Sequence, residues 1–145
     1  MTNTVKLKDY SKINLEFVAG EPTRSGMIIE VMENGKVRPH ADANETALPY
    51  VALEDELQGK KIGDSYSADD PVQVWVPGRG CEAQLLLTDN QTIVVGDLLE
   101  SAGNGKLQKH DSGTYGFGKE IVGQAMDAVN TTGSATEAWI KVRIY

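Results

Sequence analysis

Cysteine is nearly absent from this chain: Cys81 stands alone among 145 residues. A single thiol rules out an intrachain disulfide and a four-thiolate zinc site. Within CEAQLLL, Cys81 alternates with Ala83, Leu85 and Leu87, which predicts an inert thiol buried on one strand face. Histidine is almost as scarce. His40 and His110 both fall in segments that read as solvated loops, and neither has a second His or Cys at ligand spacing. Basic residues are in the minority: 14 Lys and Arg face 21 Asp and Glu, for a net charge of −7. Such a balance repels a phosphate backbone and an anionic bilayer, so neither nucleic acid nor membrane is an expected partner. No apolar run approaches the roughly 18 residues of a membrane span. The start, MTNTVKLKDYSKINLEF, lacks the apolar core of a signal peptide, so synthesis in the cytoplasm is expected and the Asn-x-Thr triplets at Asn44, Asn90 and Asn130 carry no meaning as glycosylation sites.

Catalytic motifs are missing as well. There is no H-E-x-x-H, G-x-S-x-G or Walker-type loop. His40 with Asp42 and Glu45 is a conceivable metal set, but a solvated loop is the expected state. Asp64, Asp69 and Asp70 lack the alternating oxygen ligands, glycine and distant glutamate of a calcium loop and read as turn residues. Glu54, Asp55 and Glu56 contain a carboxylate pair in principle, with a structural role expected. The glycines at 103–105 and 113–118 follow no strand-to-helix pattern of a dinucleotide site and read as turns. No catalytic residue, cofactor or metal follows from the residues.

What the chain does contain is a succession of short strands cut by Gly, Pro, Asn and Asp. Ile13, Leu15 and Phe17 alternate with polar neighbours, Met27 to Met32 is a second strand, and Asn34-Gly35 suits a two-residue hairpin turn leading into Val37. Strand LPYVALE follows, then a connection with one short extended piece in GKKIGDSYSADD. Pro71 opens VQVWV, and Pro77-Gly78 and Gly80 turn the chain into CEAQLLL. TIVVGDLLE reads as strand–turn–strand, Asn104-Gly105 as a tight hairpin and His110 to Gly118 as a glycine-rich loop. EIVGQAMDAV permits a helix, but Gly123 costs a helix about 1 kcal/mol relative to Ala, so a strand paired with the last segment is predicted. EAWIKVRIY alternates strictly, with Ala138, Ile140, Val142 and Ile144 on one face and Trp139, Lys141, Arg143 and Tyr145 on the other. The expected fold is all-β: a compact β-sandwich or β-tulip-like barrel with short hairpins and little helix. Residues 1–12 form an N-terminal arm and residues 13–145 a single β-rich domain.

The aromatic residues are the best candidates for recognition. Trp75 shares its strand face with Gln73, opposite the valines, and Trp139 and Tyr145 share theirs with Lys141 and Arg143. If the aliphatic faces form the core, Trp75, Trp139, Arg143 and Tyr145 make an interface of the residue types that anchor protein contacts. The alternative is a barrel in which both faces are buried and the tryptophans are core.

One family resembles this chain. Tyr50 to Glu54 (YVALE), the Gly59 and Asp64 connection, Pro77-Gly78, the run GDLLESAG from Gly96 to Gly103, and Ile121 to Val129 are together similar to the head decoration, or cement, proteins of tailed bacteriophages. The likeness covers most of residues 46–145 and fades before Ile13. It departs at Trp75 and at residues 110–119. The resemblance implies attachment to the outer surface of the virion head, with the major capsid protein as partner, commonly as a homotrimer bridging capsomers against DNA pressure. It also implies a capsid-binding arm, carried here by Thr4, Val5, Lys6, Leu7, Lys8 and Tyr10. Two other readings stay open: a biotinyl or lipoyl carrier domain, for which Lys106 after Asn104-Gly105 is the one candidate lysine, and a tail or baseplate component. A small β-barrel enzyme would need a convergent polar site that the residues do not supply.

Overall fold

The computed structural model describes residues 3–9, 13–43, 45–111 and 121–145. Among these the only helical element is a single 3₁₀ turn, Glu56–Gln58; the fold is all-β. The strands are β1 (Lys6–Lys8), β2 (Asn14–Val18), β3 (Thr23–Arg24), β4 (Ile29–Val31), β5 (Val37–Pro39), β6 (Val51–Ala52), β7 (Ser65–Tyr66) and β8 (Pro71–Trp75). They continue with β9 (Glu82–Leu87), β10 (Thr92–Ile93), β11 (Leu98–Gly103), β12 (Lys106–Lys109), β13 (Gly123–Ala125), β14 (Val129–Asn130) and β15 (Ala138–Ile144).

Five of these strands close on themselves. β9 pairs with β15 along its whole length, β15 with β13, β13 with β11, and β11 with β12. A parallel bridge between Leu107 and Leu87 then returns β12 to β9, reinforced by the Thr88 amide donating to the Leu107 carbonyl at 2.9 Å. The result is a small barrel whose inward positions are filled by side chains. Cys81, Ala83, Leu85 and Leu87 point inward from one side, facing Leu99, Leu107, Ile140, Val142 and Ile144. The small residues of CEAQLLL make room for the larger ones opposite, and the thiol of Cys81 is buried among them as expected.

A second layer packs on the outer face of β9. It consists of the three-stranded sheet β2–β8–β6 and the two-stranded β3–β7 and β4–β5. Met27, Ile29, Val37, Ala52, Tyr66, Val72 and Val74 close over Leu86, which projects out of the barrel wall. All six residues of β9 are therefore buried, because one face lines the barrel and the other meets this layer.

The local sequence readings map onto these elements with instructive differences. Asn104 and Gly105 both adopt positive φ between β11 and β12, the two-residue turn their chemistry favours. Between β4 and β5 only Gly35 does so. The Gly35 amide donates to the Met32 carbonyl (2.9 Å) and the Met32 amide to Lys36 (2.8 Å), giving a three-residue loop with a glycine bulge instead of the expected two-residue turn. β13 is a strand, paired with β15 as predicted. Its glycine has a packing reason: a Cβ on Gly123 would lie 2.4 Å from the Arg143 carbonyl oxygen. β2 forms where Ile13, Leu15 and Phe17 alternate, yet Ile13 and Leu15 stay exposed and only Phe17 packs on the second layer. Most of the expected loop from His110 to Gly118, and the sequon residue Asn44, lie outside the described residues.

Candidate functional site

The predicted arm is held on the barrel in its described part. β1 lies antiparallel on β9, with Lys6 opposite Ala83, Lys8 opposite Glu82, and a bulge between them at Leu7. Val5 is fully buried; its carbonyl accepts the Gln84 amide at 2.8 Å and its amide donates to Glu54 Oε2 at 3.1 Å. Lys6 stretches over the ring of Trp75, Nζ at 5.2 Å from the centroid, and donates to Asn14 Oδ1 at 2.9 Å. Thr4 and Lys8 are exposed and Leu7 is half-buried. Tyr10 lies outside the described residues.

The placement of Trp75 is a correction. It is fully buried, packed with Val5, Ile28, Val51 and Leu85 between the barrel and the sheet β2–β8–β6. Its face of β8 leaves Pro71 exposed and Gln73 half-buried but is covered at this position, so this tryptophan is core and not surface. His40 is a second correction. It is buried and not a solvated loop residue: its Nδ1 meets Ser101 Oγ at 2.6 Å and its Nε2 the Thr46 carbonyl at 3.2 Å. Asp42 and Glu45 are exposed beside it and do not converge on it. His110 pairs through Nδ1 with the buried Glu100, 3.0 Å away, and Gln108 donates to the other carboxylate oxygen at 3.2 Å.

Several of the acidic groups singled out in the sequence hold turns of the backbone together. Asp64 accepts the Lys61 amide at 2.8 Å and Asp70 the Ser67 amide at 2.9 Å. Asp55 caps the 3₁₀ turn, taking the Leu57 amide at 3.1 Å and the Gln58 side chain at 2.6 Å. Tyr66 packs close by and donates to the Leu53 carbonyl at 2.6 Å. Its burial, helped by the charges of Asp55 and Glu54, holds the phenol well above its ordinary range. Lys106 forms an ion pair with Glu137 at 2.9 Å, and Gly105 beside it is packed against Met27. That hairpin end is tucked into the fold and presents no free lysine tip.

The remaining predicted residues are Trp139 and Arg143 on β15 and Tyr145 just after it. Trp139 is half-buried on the second layer, stacked so closely on Gly26 that a Cβ there would be 2.3 Å from its ring. Arg143 crosses to Glu82, Nη2 to Oε1 at 2.9 Å. The bond from Arg143, with Lys8 and Lys141 nearby, holds the Glu82 carboxyl below its ordinary range against the opposing effect of burial. Tyr145 is 67% exposed, and the Arg79 guanidinium sits 4.5 Å above its ring. Arg143 and Tyr145 thus meet at the end of the barrel where Trp139 does not reach. Together with Arg79, Leu98, Ile121, Gln124 and Ile144 they line an open groove of about 220 Å³.

Strand register explains this convergence. Leu98 pairs with Gln124, Gln124 with Arg143, and Arg143 with Glu82, so four strands contribute one row across the barrel wall. The groove is mostly apolar with two guanidinium groups on its margin, an arrangement suited to gripping an apolar side chain flanked by negative charge. Sequence reading missed Arg79 and Leu98. Arg79 is the one charged residue of the turn PGRG, and Leu98 stands beside Asp97, whose side chain accepts the Val94 amide at 3.0 Å. An arginine inside a Gly/Pro turn was the available signal; the neighbourhood of Leu98 had none.

No family model and no curated protein matches the sequence. The fold has a counterpart among solved structures: the crystal structure of the head fiber gp8.5 N base in bacteriophage phi29 superposes with a TM-score of 0.58 at 12% sequence identity. The match spans 92% of this chain and 93% of that one, so both layers take part.

Proposed function

We propose that this chain is a structural component of a tailed-phage head, seated on the outside of the shell. The observation that carries the reading is the fold shared, end to end, with the head fiber base of phi29. The finer reading is decoration: a subunit that binds the major capsid protein and ties capsomers together against internal pressure. A net charge of −7 accords with an exterior position, away from packaged DNA. Asp55, Asp64, Asp70 and Glu82 are tied into backbone bonds or an ion pair, which accords with a protein that acts by binding. Lys106, ion-paired beside a packed turn, weighs against the carrier-domain alternative.

In this reading the shell meets the β1 edge, where Thr4, Leu7 and Lys8 offer partly exposed side chains and bulged backbone. Such a subunit stabilises the assembled shell by mass action, because it binds that state and not the separated capsomers. Repetition over many sites supplies avidity from individually modest contacts. Purified protein should bind emptied mature heads of its own phage and raise their resistance to heat. Heads that neither bind it nor gain resistance would remove the decoration reading. A second reading, the base of a head fibre, is favoured by the description of the phi29 counterpart. Electron microscopy of the heads separates the two: a long projection marks a fibre base, a low knob a decoration subunit.

A further inference from the structure

We infer that this chain associates with a second copy of itself, head to tail, by seating Leu57 of one copy in the groove beneath Arg79 and Tyr145 of the next. Leu57 is 100% exposed, an unusual state for a leucine held in regular structure. It sits in the 3₁₀ turn Glu56–Gln58. Asp55 caps the turn at its start, and Gly59, at positive φ, closes it by donating to the Glu56 carbonyl. A projecting apolar side chain on a turn capped at both ends requires little ordering of the backbone on binding.

The two surfaces match in size and charge. The groove measures about 220 Å³ and is walled by Leu98, Ile121, Ile144 and Tyr145. An apolar cavity of about 150 Å³ already admits a benzene ring, so an isobutyl group fits with room for its neighbours. Gln124 of the groove donates to the Gly96 carbonyl at 3.1 Å, which ties the turn that follows the exposed Val94 and Val95 to the groove wall. Among the described residues Glu56, directly beside Leu57, has no ion-pair partner, and Arg79 has only the ring of Tyr145. One unpaired carboxylate flanks the knob and one unpaired guanidinium flanks the hole.

Knob and hole do not meet within one copy, because Leu57 is fully exposed and so does not occupy its own groove. Two distinct patches that fit each other make a heterologous contact, which closes into a ring or continues as a filament according to its rotation. The contact is argued from the chain's own two surfaces and does not depend on what the assembled copies attach to.

Sedimentation velocity of the full chain from micromolar to millimolar concentration tests it. The wild-type coefficient should rise with concentration. Leu57→Asp and Arg79→Glu should abolish the rise while leaving the circular dichroism spectrum and melting unchanged, since both side chains are exposed. The double variant Arg79→Glu with Glu56→Arg should recover it. A wild type that stays monomeric throughout, single variants that associate like wild type, or a double variant that fails to recover would each overturn the contact. Head binding by Leu57→Asp is scored separately, so loss of self-association and loss of shell attachment are told apart.

Discussion

Gly26 shows how much one residue position constrains this fold. It sits at φ +89 where its amide donates to Ala52 and its carbonyl accepts the Leu86 amide, so it ties the second layer directly to the barrel wall. A Cβ at this position would lie 2.3 Å from the Trp139 ring. Gly26→Ala therefore meets both a left-handed backbone and a ring it cannot displace, and should destabilise by about 2–4 kcal/mol in urea titrations. Gly35→Ala is the control: it has the same sign of φ but open space around it, so about 1 kcal/mol is expected. Equal losses would mean that backbone strain alone decides. Among the described residues three carboxylates shape the pH response. The Arg143 bond lowers Glu82, and the Val94 amide and Lys109 lower Asp97. Burial raises Glu137, but its bonds from Lys106 and Arg24 outweigh that and leave it lowered. Groups depressed in the folded state stabilise above their unfolded values, near 4, and lose that contribution as pH falls through the folded values. The melting temperature should be level from neutral pH to about 5 and fall below about 4. Glu137→Gln should flatten part of that fall. At this scale the sequence was least informative. VQVWV alternates the same way whether one face of β8 is covered or both, and Trp75 is covered in part by Lys6, from the other half of the chain. His40 sits in a segment whose composition says loop, and its interior place depends in part on Ser101, far along the chain.

Elements were easier to read, because strand and turn chemistry is local. Gly-rich and Asn-Gly turns marked the ends of β11 and β12, and strict alternation marked β15 and its inward face. Short strands such as β3, β7, β10 and β14 have two residues each and no period to detect. Residues 1–11 are polar and short of large apolar side chains, which suits an extended arm or a loosely held first strand equally; the pairing of β1 depends on β9 and on the cover it gives Trp75. That produces an element-scale prediction. Deleting residues 1–8 removes Val5 from the core and the Lys6 stem from Trp75, and it leaves the β9 edge unpaired at Glu82 and Ala83. The truncated chain should lose about 2–5 kcal/mol, and Val5→Ala alone about 1–3 kcal/mol. Lys8→Ala, which breaks only a half-exposed ion pair with Glu82, should leave stability within about 0.5 kcal/mol while weakening attachment to heads. If truncation leaves the urea midpoint unchanged, β1 is an arm that docks without contributing to the core.

At the scale of the whole molecule, an all-β body was legible but the closure of the barrel was not. The bridge Leu87–Leu107 and the pairing of β1 with β9 join distant parts of the chain, and no local pattern specifies them. The groove depends on the same closure, since its walls come from β11, β13 and β15 and from the turn before β9. The two layers share β9: Leu85 and Leu87 belong to the barrel core, and Leu86 between them to the second. Neither core can lose its packing while the other keeps an intact β9, so the chain should unfold as one unit. The two tryptophans report on the two layers, Trp75 from the barrel side and Trp139 from the second. In Trp139→Phe and Trp75→Phe variants, fluorescence of the remaining tryptophan and far-ultraviolet circular dichroism should give the same urea midpoint within each variant, even though the two variants differ in stability. A fluorescence transition that precedes the loss of strand signal in Trp75→Phe would mean that the second layer detaches first. The chain would then be two folding units, with β9 belonging to the barrel alone.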